Sequence, residues 1–155
     1  ANAKALIFAG LWFEGVEAEK WRDIGLRKLA REVPEQILPD GGHFELSPMY
    51  HILVLEDVLD LINIAHSFAS GLGPQGEVAL AEWRYKVAEM VYWMATMRHP
   101  DGEIGFFNDA AIGIAPSPEV AAEYATRLGL GKMPDMVPGL QLLEASGYPE
   151  RCRAG

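Results

Sequence analysis

The sequence predicts an all-α fold built as an array of helical hairpins. Apolar residues recur at helical spacing through successive long stretches, most of them bounded by a cap, a proline or a glycine cluster. Two Pro-Asp-Gly turns, Pro39-Asp40-Gly41 and Pro100-Asp101-Gly102, lie 61 residues apart, the length of one helix pair with its connections. Repeated pairs of that length make stacked or ring-like helical architectures, and turns one full pair apart fall on the same rim.

The first helix is expected over residues 2–15, capped by Asn2, with Ala5, Leu6, Phe8, Ala9, Trp12 and Phe13 as an apolar stripe. The stripe is wide enough to be covered on more than one side, and core packing is the better reading of Trp12 than stacking on a sugar. Gly15 breaks the helix. A second, over 18–37, turns Trp21, Ile24, Leu26, Leu29, Val33 and Ile37 to a core and carries Pro34, which should kink or restart it. Ser47-Pro48 is a helix start: the hydroxyl can accept from orphan amides, and proline fits the first turn. The third helix then runs over 48–69 to a glycine-rich stop at 71–76. A fourth, over 77–97, carries Val78, Trp83, Met90, Trp93 and Met94, read as core filling. A short helix at 117–128 is capped by Ser117-Pro118. Residues 140–148 change character and read as a strand without partners, so 1–139 is taken as the helical part and 140–155 as the start of another domain or a linker.

With 155 residues, half of them apolar, the chain can bury one ordinary core. A net charge of −9 argues against nucleic acid and anionic membranes as partners. It also disfavours a densely sulfated polyanion unless basic residues gather locally. No apolar run is long enough to span a bilayer. Cys152 stands alone, so no internal disulfide is expected. The opening Ala1-Asn2-Ala3-Lys4 shows no signal-peptide pattern and reads as mid-protein sequence.

Chemistry concentrates between residues 39 and 51, where His43, Glu45, Tyr50 and His51 crowd the junction of a turn and a helix. Tyr50 falls in the first helical turn, where the macrodipole favours a phenolate, a fitting place for a group that gives and takes a proton. From composition alone, the better reading is a tyrosine packed against a neighbouring helix with its hydroxyl bonded to a backbone group. On the second loop, Asn108, Asp109 and Arg98 are candidates to orient a polar ligand, Arg98 through its planar fork or, alternatively, as a cation closing its helix. No histidine pair has helical metal-ligand spacing, so no metal is expected within this chain.

These residues resemble a known family. Ala1 to Gly10, then Glu35-Gln36-Ile37-Leu38-Pro39-Asp40-Gly41 with Phe44-Glu45-Leu46-Ser47-Pro48-Met49-Tyr50-His51, then His99-Pro100-Asp101-Gly102 with Phe107-Asn108-Asp109, look like the heparinase II/III-like polysaccharide lyases. The resemblance implies an (α/α) toroid, here incomplete, followed by an antiparallel β-sandwich that would begin near residue 143. It implies cleavage of uronate-containing polysaccharides by β-elimination, in a periplasmic or secreted setting. Tyr50 would be the catalytic tyrosine, and His51, Glu45 and Asn108-Asp109 would lie in or near the cleft. The family's carboxylate-neutralising Asn precedes the position of Ala1, while its second histidine and any structural metal belong to the β domain. The chain alone is therefore expected to be inactive. Two other readings stand beside this one: a module that binds glycan in surface-polysaccharide assembly or export without cutting it, and a glycoside hydrolase using Glu45 and Asp109.

Overall fold

The computed structural model describes residues 2–68 and 71–134, and these form an all-helical array. In chain order the helices are α1 (Asn2–Trp12), α2 (Val16–Gln36), α3 (Pro48–Ser67), α4 (Gly73–Met97) and α5 (Pro118–Arg127). No strand occurs among the described residues. The expected strand near residue 143, and the boundary at 139, lie outside them.

α1 and α2 form one antiparallel hairpin and α3 and α4 a second. In the first, the two backbones meet at glycines. A β-carbon on Gly25 would sit 2.7 Å from Ile7 Cγ1 and 2.9 Å from the Ala3 carbonyl, and one on Gly10 would sit 2.6 Å from the Ala18 carbonyl. α3 is the central helix. Ile52, Leu55, Val58, Leu59, Leu61, Ile62 and Ala65 are all buried, a spread too wide for one face. The burial is explained by neighbours on several sides. Lys4 of α1 pairs with Asp57 and Asp60, Met90 and Trp93 of α4 meet His51, and Tyr124 of α5 reaches Asp60.

Several expectations need correction. Trp12 is 70% exposed and Phe13, Ile24 and Val78 are exposed too, so none of them is core. Trp12 instead meets Phe68 edge-on, with centroids 6.1 Å apart, at the short-loop end of the array. α2 runs through Pro34 without a restart and ends at Gln36, so the proline falls in its last turn. α4 begins at Gly73 rather than 77, because Pro74 fits its first turn and Gly73 takes φ 66. α3 starts at Pro48 as expected, but the Ser47 hydroxyl caps nothing and is buried without a partner. At α5 the cap is made: the Val120 amide donates to Ser117 Oγ at 3.4 Å. Trp83, Met90, Trp93 and Met94 fill the core as expected.

The glycine contact gives a first prediction. Gly25→Ala forces a methyl against backbone, so unfolding by urea should show a loss of about 1–3 kcal/mol. Helix propensity alone would push the other way.

Candidate active site at the long-loop end

Both Pro-Asp-Gly loops fold alike, and local chemistry explains why. In the first, the Gly41 amide donates to the Leu38 carbonyl at 3.0 Å, closing a turn with proline at its second position. Asp40 Oδ1 accepts from the Gly42 amide at 3.0 Å, and Gly41 takes φ 87, which a side chain would resist. An antiparallel bridge joins Ile37 to His43. In the second loop, Gly102 donates to His99 at 2.9 Å and Asp101 accepts from Glu103 at 3.0 Å. Gly102 has φ 94, and a bridge joins Arg98 to Ile104.

The loops come together. Asn108 Nδ2 donates to the Leu46 carbonyl at 3.1 Å, across 62 residues of sequence. Leu46, Asn108 and Asp109, at φ 54, 50 and 64, are the non-glycine residues in the left-handed region among those described. Asn and Asp tolerate that region, whereas leucine does so only under constraint from its surroundings. The rim is also apolar on its surface: Phe44, Leu46, Phe106 and Phe107 are all exposed.

Tyr50 is 38% exposed, on the first turn of α3. Helical spacing places it on the stripe that continues through Val54, Asp57 and Leu61. Those three residues line a groove of about 300 Å³ whose other wall includes Asn2, Lys4 and Gln36. Tyr50 thus stands one turn above the groove, at the rim. Within it, burial lowers the Lys4 pKa, but bonds to Asp57 and Asp60 outweigh that and leave it raised. Burial, then the bond to Asp60, raises the Tyr124 phenol.

His51 behaves differently from its neighbour. Its ring has no exposed surface, lies 4.5 Å from the Trp93 ring, and places Nε2 3.0 Å from the Met90 carbonyl. A carbonyl only accepts, so Nε2 carries the proton and Nδ1, buried without a protein partner, carries the lone pair. Burial pushes its pKa down to about 4. The Met90 bond and Asp40 oppose that shift, and His43 adds to it. His51, expected in or near a cleft, is fully buried beside the exposed Tyr50 and bridges α3 and α4. His43 is likewise buried, with Nδ1 unpartnered and its pKa lowered by burial against the pull of Glu45. Glu45 is exposed on the loop. Arg98 lies at the base of the second loop, its Nη1 2.9 Å from Glu119 Oε1, tying α4 to α5. Asp109 is exposed beside Asn108.

Reading the sequence missed the Lys4–Asp57–Asp60–Tyr124 network. The signal was present, since two aspartates three apart in an apolar helix demand a partner. It also missed Trp93 as the partner of His51, for which no local signal exists.

Fold and rim together define a helical-hairpin domain that presents a tyrosine at a joined pair of loops. The chain belongs to the heparinase II/III family: residues 1–126 match its model, described as the heparinase II/III N-terminus. It is 32% identical over 112 residues to a heparin-sulfate lyase of Bacteroides stercoris, and 33% identical over 115 residues to one of Bacteroides thetaiotaomicron. A third relative, a heparin-sulfate lyase of Pedobacter heparinus, is 29% identical over 118 residues. The matches cover 72%, 71% and 72% of this chain but 16% of each relative, so the chain spans only a small part of their length. No solved structure matches it.

Acid should destabilise this junction. Unfolded, His51 protonates near its ordinary value of 6.5; folded, it stays neutral until about 4. The unfolded state therefore binds more protons between those values, and stability falls as pH drops through that window, by about 3 kcal/mol in all. His43 adds in the same direction. Urea titrations between pH 4 and 8 should show this slope, and His51→Gln, which keeps a donor for Met90, should flatten most of it.

Proposed function

We propose that this chain is the toroid part of a polysaccharide lyase that cleaves uronate-containing glycans by β-elimination, with Tyr50 carrying the proton. The observation that supports it best is the contrast at residues 43–51. His43 and His51 are buried, Glu45 stands on the loop, and Tyr50 alone is both exposed and rooted in a helix. Family membership and relatives named heparin-sulfate lyases favour the same chemistry.

In this reading the Tyr50 oxygen, as phenolate, takes the C5 proton of a uronate. The C5–H electron pair becomes the C4=C5 double bond, and the C4–O pair leaves with the departing sugar. The phenol then returns its proton to that oxygen, so one group serves as base and acid. Abstraction requires the C6 carboxylate to be neutralised, by donors aimed where charge develops. Those donors are assigned to parts of the protein beyond residues 1–155, and the chain alone is proposed to be inactive. Glu45, Asn108 and Asp109 line the approach, and His51 and Arg98 hold the rim in shape.

The substrate leans to the less charged end of the uronate polymers. Asp40, Glu45, Asp101, Glu103 and Asp109 occupy the two loops, with Arg98 as the basic residue paired to Glu119. Such a surface repels a densely sulfated chain. A periplasmic or secreted location, implied by the family resemblance, belongs to the same proposal; among the described residues no helix is long and apolar enough to cross a membrane. The exposed rings of Phe44, Phe106 and Phe107 at the rim also favour a second reading, a module that binds glycan without cutting it.

In the intact protein, Tyr50→Phe should abolish the ultraviolet absorbance of the unsaturated product while leaving glycan binding and thermal stability unchanged. Retained turnover removes Tyr50 from the chemistry. A wild-type protein that binds uronate polymers but yields no unsaturated product supports the binding module.

A further inference from the structure

We propose that Asn108 is a positioning residue, which sets the start of α3, and with it the tyrosine at residue 50, by holding the Leu46 carbonyl across the two loops. Its functional consequence rests on the lyase reading; its structural consequence does not.

The chain of contacts is short. Asn108 Nδ2 donates to Leu46 O at 3.1 Å. Leu46 is in the left-handed region, an arrangement that costs a leucine energy and persists only where neighbours enforce it. Its amide donates to the His43 carbonyl at 2.8 Å, so both its polar groups are held, one within the first loop and one from the second. Ser47 follows directly, and its carbonyl accepts the first intrahelical bond of α3, from the His51 amide at 2.9 Å. The Ser47 side chain makes no cap bond. The usual device for fixing a helix start is thus absent here, and the cross-loop bond stands in its place.

Asn108 also suits the task in its own backbone. At φ 50 it takes a conformation that asparagine adopts more readily than most residues, and Asp109 follows at φ 64. Two consecutive left-handed residues turn the chain so that the carboxamide faces the first loop. Aspartate would keep the backbone but present an acceptor to an acceptor. Glycine would keep the backbone and remove the bond.

The test uses Asn108→Gly and Asn108→Asp in the intact protein, with two independent measurements. Hydrogen exchange at the Leu46 and His51 amides should quicken about tenfold or more in both variants, while amides in the middle of α4 stay protected. On a uronate polymer, kcat should fall about tenfold or more and KM should move less than about twofold, the mark of a misplaced group rather than a lost substrate contact. Unchanged exchange at Leu46 and His51 overturns the proposal. So does a raised KM with kcat preserved, which would make Asn108 a substrate ligand. If the wild-type protein eliminates nothing, the lyase reading fails by itself, and exchange alone decides whether Asn108 positions α3.

Discussion

The hydrogen bond from the His51 imidazole to the Met90 carbonyl is the constraint on which the loop end depends. It joins the first turn of α3 to the last third of α4, with Trp93 packed on the ring. An imidazole there must stay neutral, because a second ring proton would be a buried donor without an acceptor. Burial secures that neutrality, and the folded hairpin therefore fixes both a geometry and a protonation state. One residue earlier, Tyr50 inherits the geometry while remaining exposed. Adjacent positions on a helix point about a quarter turn apart, which is how one ring is sealed and its neighbour open.

Around that anchor the first loop has little room to move. A β-carbon on Gly42 would lie 2.7 Å from Trp93 Nε1, so the loop backbone rests directly on the same tryptophan. Glycine at 41 meets the Glu89 carbonyl in the same way. The loop is thus packed on α4 from below and tied to the second loop through Asn108. Arg98 and Glu119 brace the second loop against α5, and the aspartates of α3 hold α1 and α5 through Lys4 and Tyr124. The charged groups that connect helices in this molecule are consequently engaged with one another, and the rim keeps its exposed surface mostly aromatic and acidic.

Much of this was legible in the sequence, for identifiable reasons. Ser117-Pro118 and the Pro-Asp-Gly turns are local rules, and local rules survive folding: each turn is closed by bonds within a few residues. The helices were legible because their apolar periodicity spans several turns. Direction of burial was less so. Trp12 and Ile24 have the chemistry of core residues, but which side of α1 and α2 is covered depends on partners hundreds of atoms away. His51 shows the same limit at the site. Four titratable groups crowd residues 43–51, and nothing in their order says which two are sealed beneath the loop, because Trp93 and Met90 decide it from another helix. The left-handed conformation of Leu46 was equally hidden, since leucine carries no signal for it.

The likeness of the two Pro-Asp-Gly loops bears on how such a domain diversifies. Each loop encodes its own shape in a handful of adjacent residues, so copying a helix pair copies a finished turn and delivers it to the same end of the array. The flanking positions are then released to drift apart. One loop carries a buried histidine and leads to a tyrosine, the other carries an asparagine that reaches across to its counterpart. The two loops thus share one self-contained scaffold, and what surrounds each supplies a complementary half of a single junction.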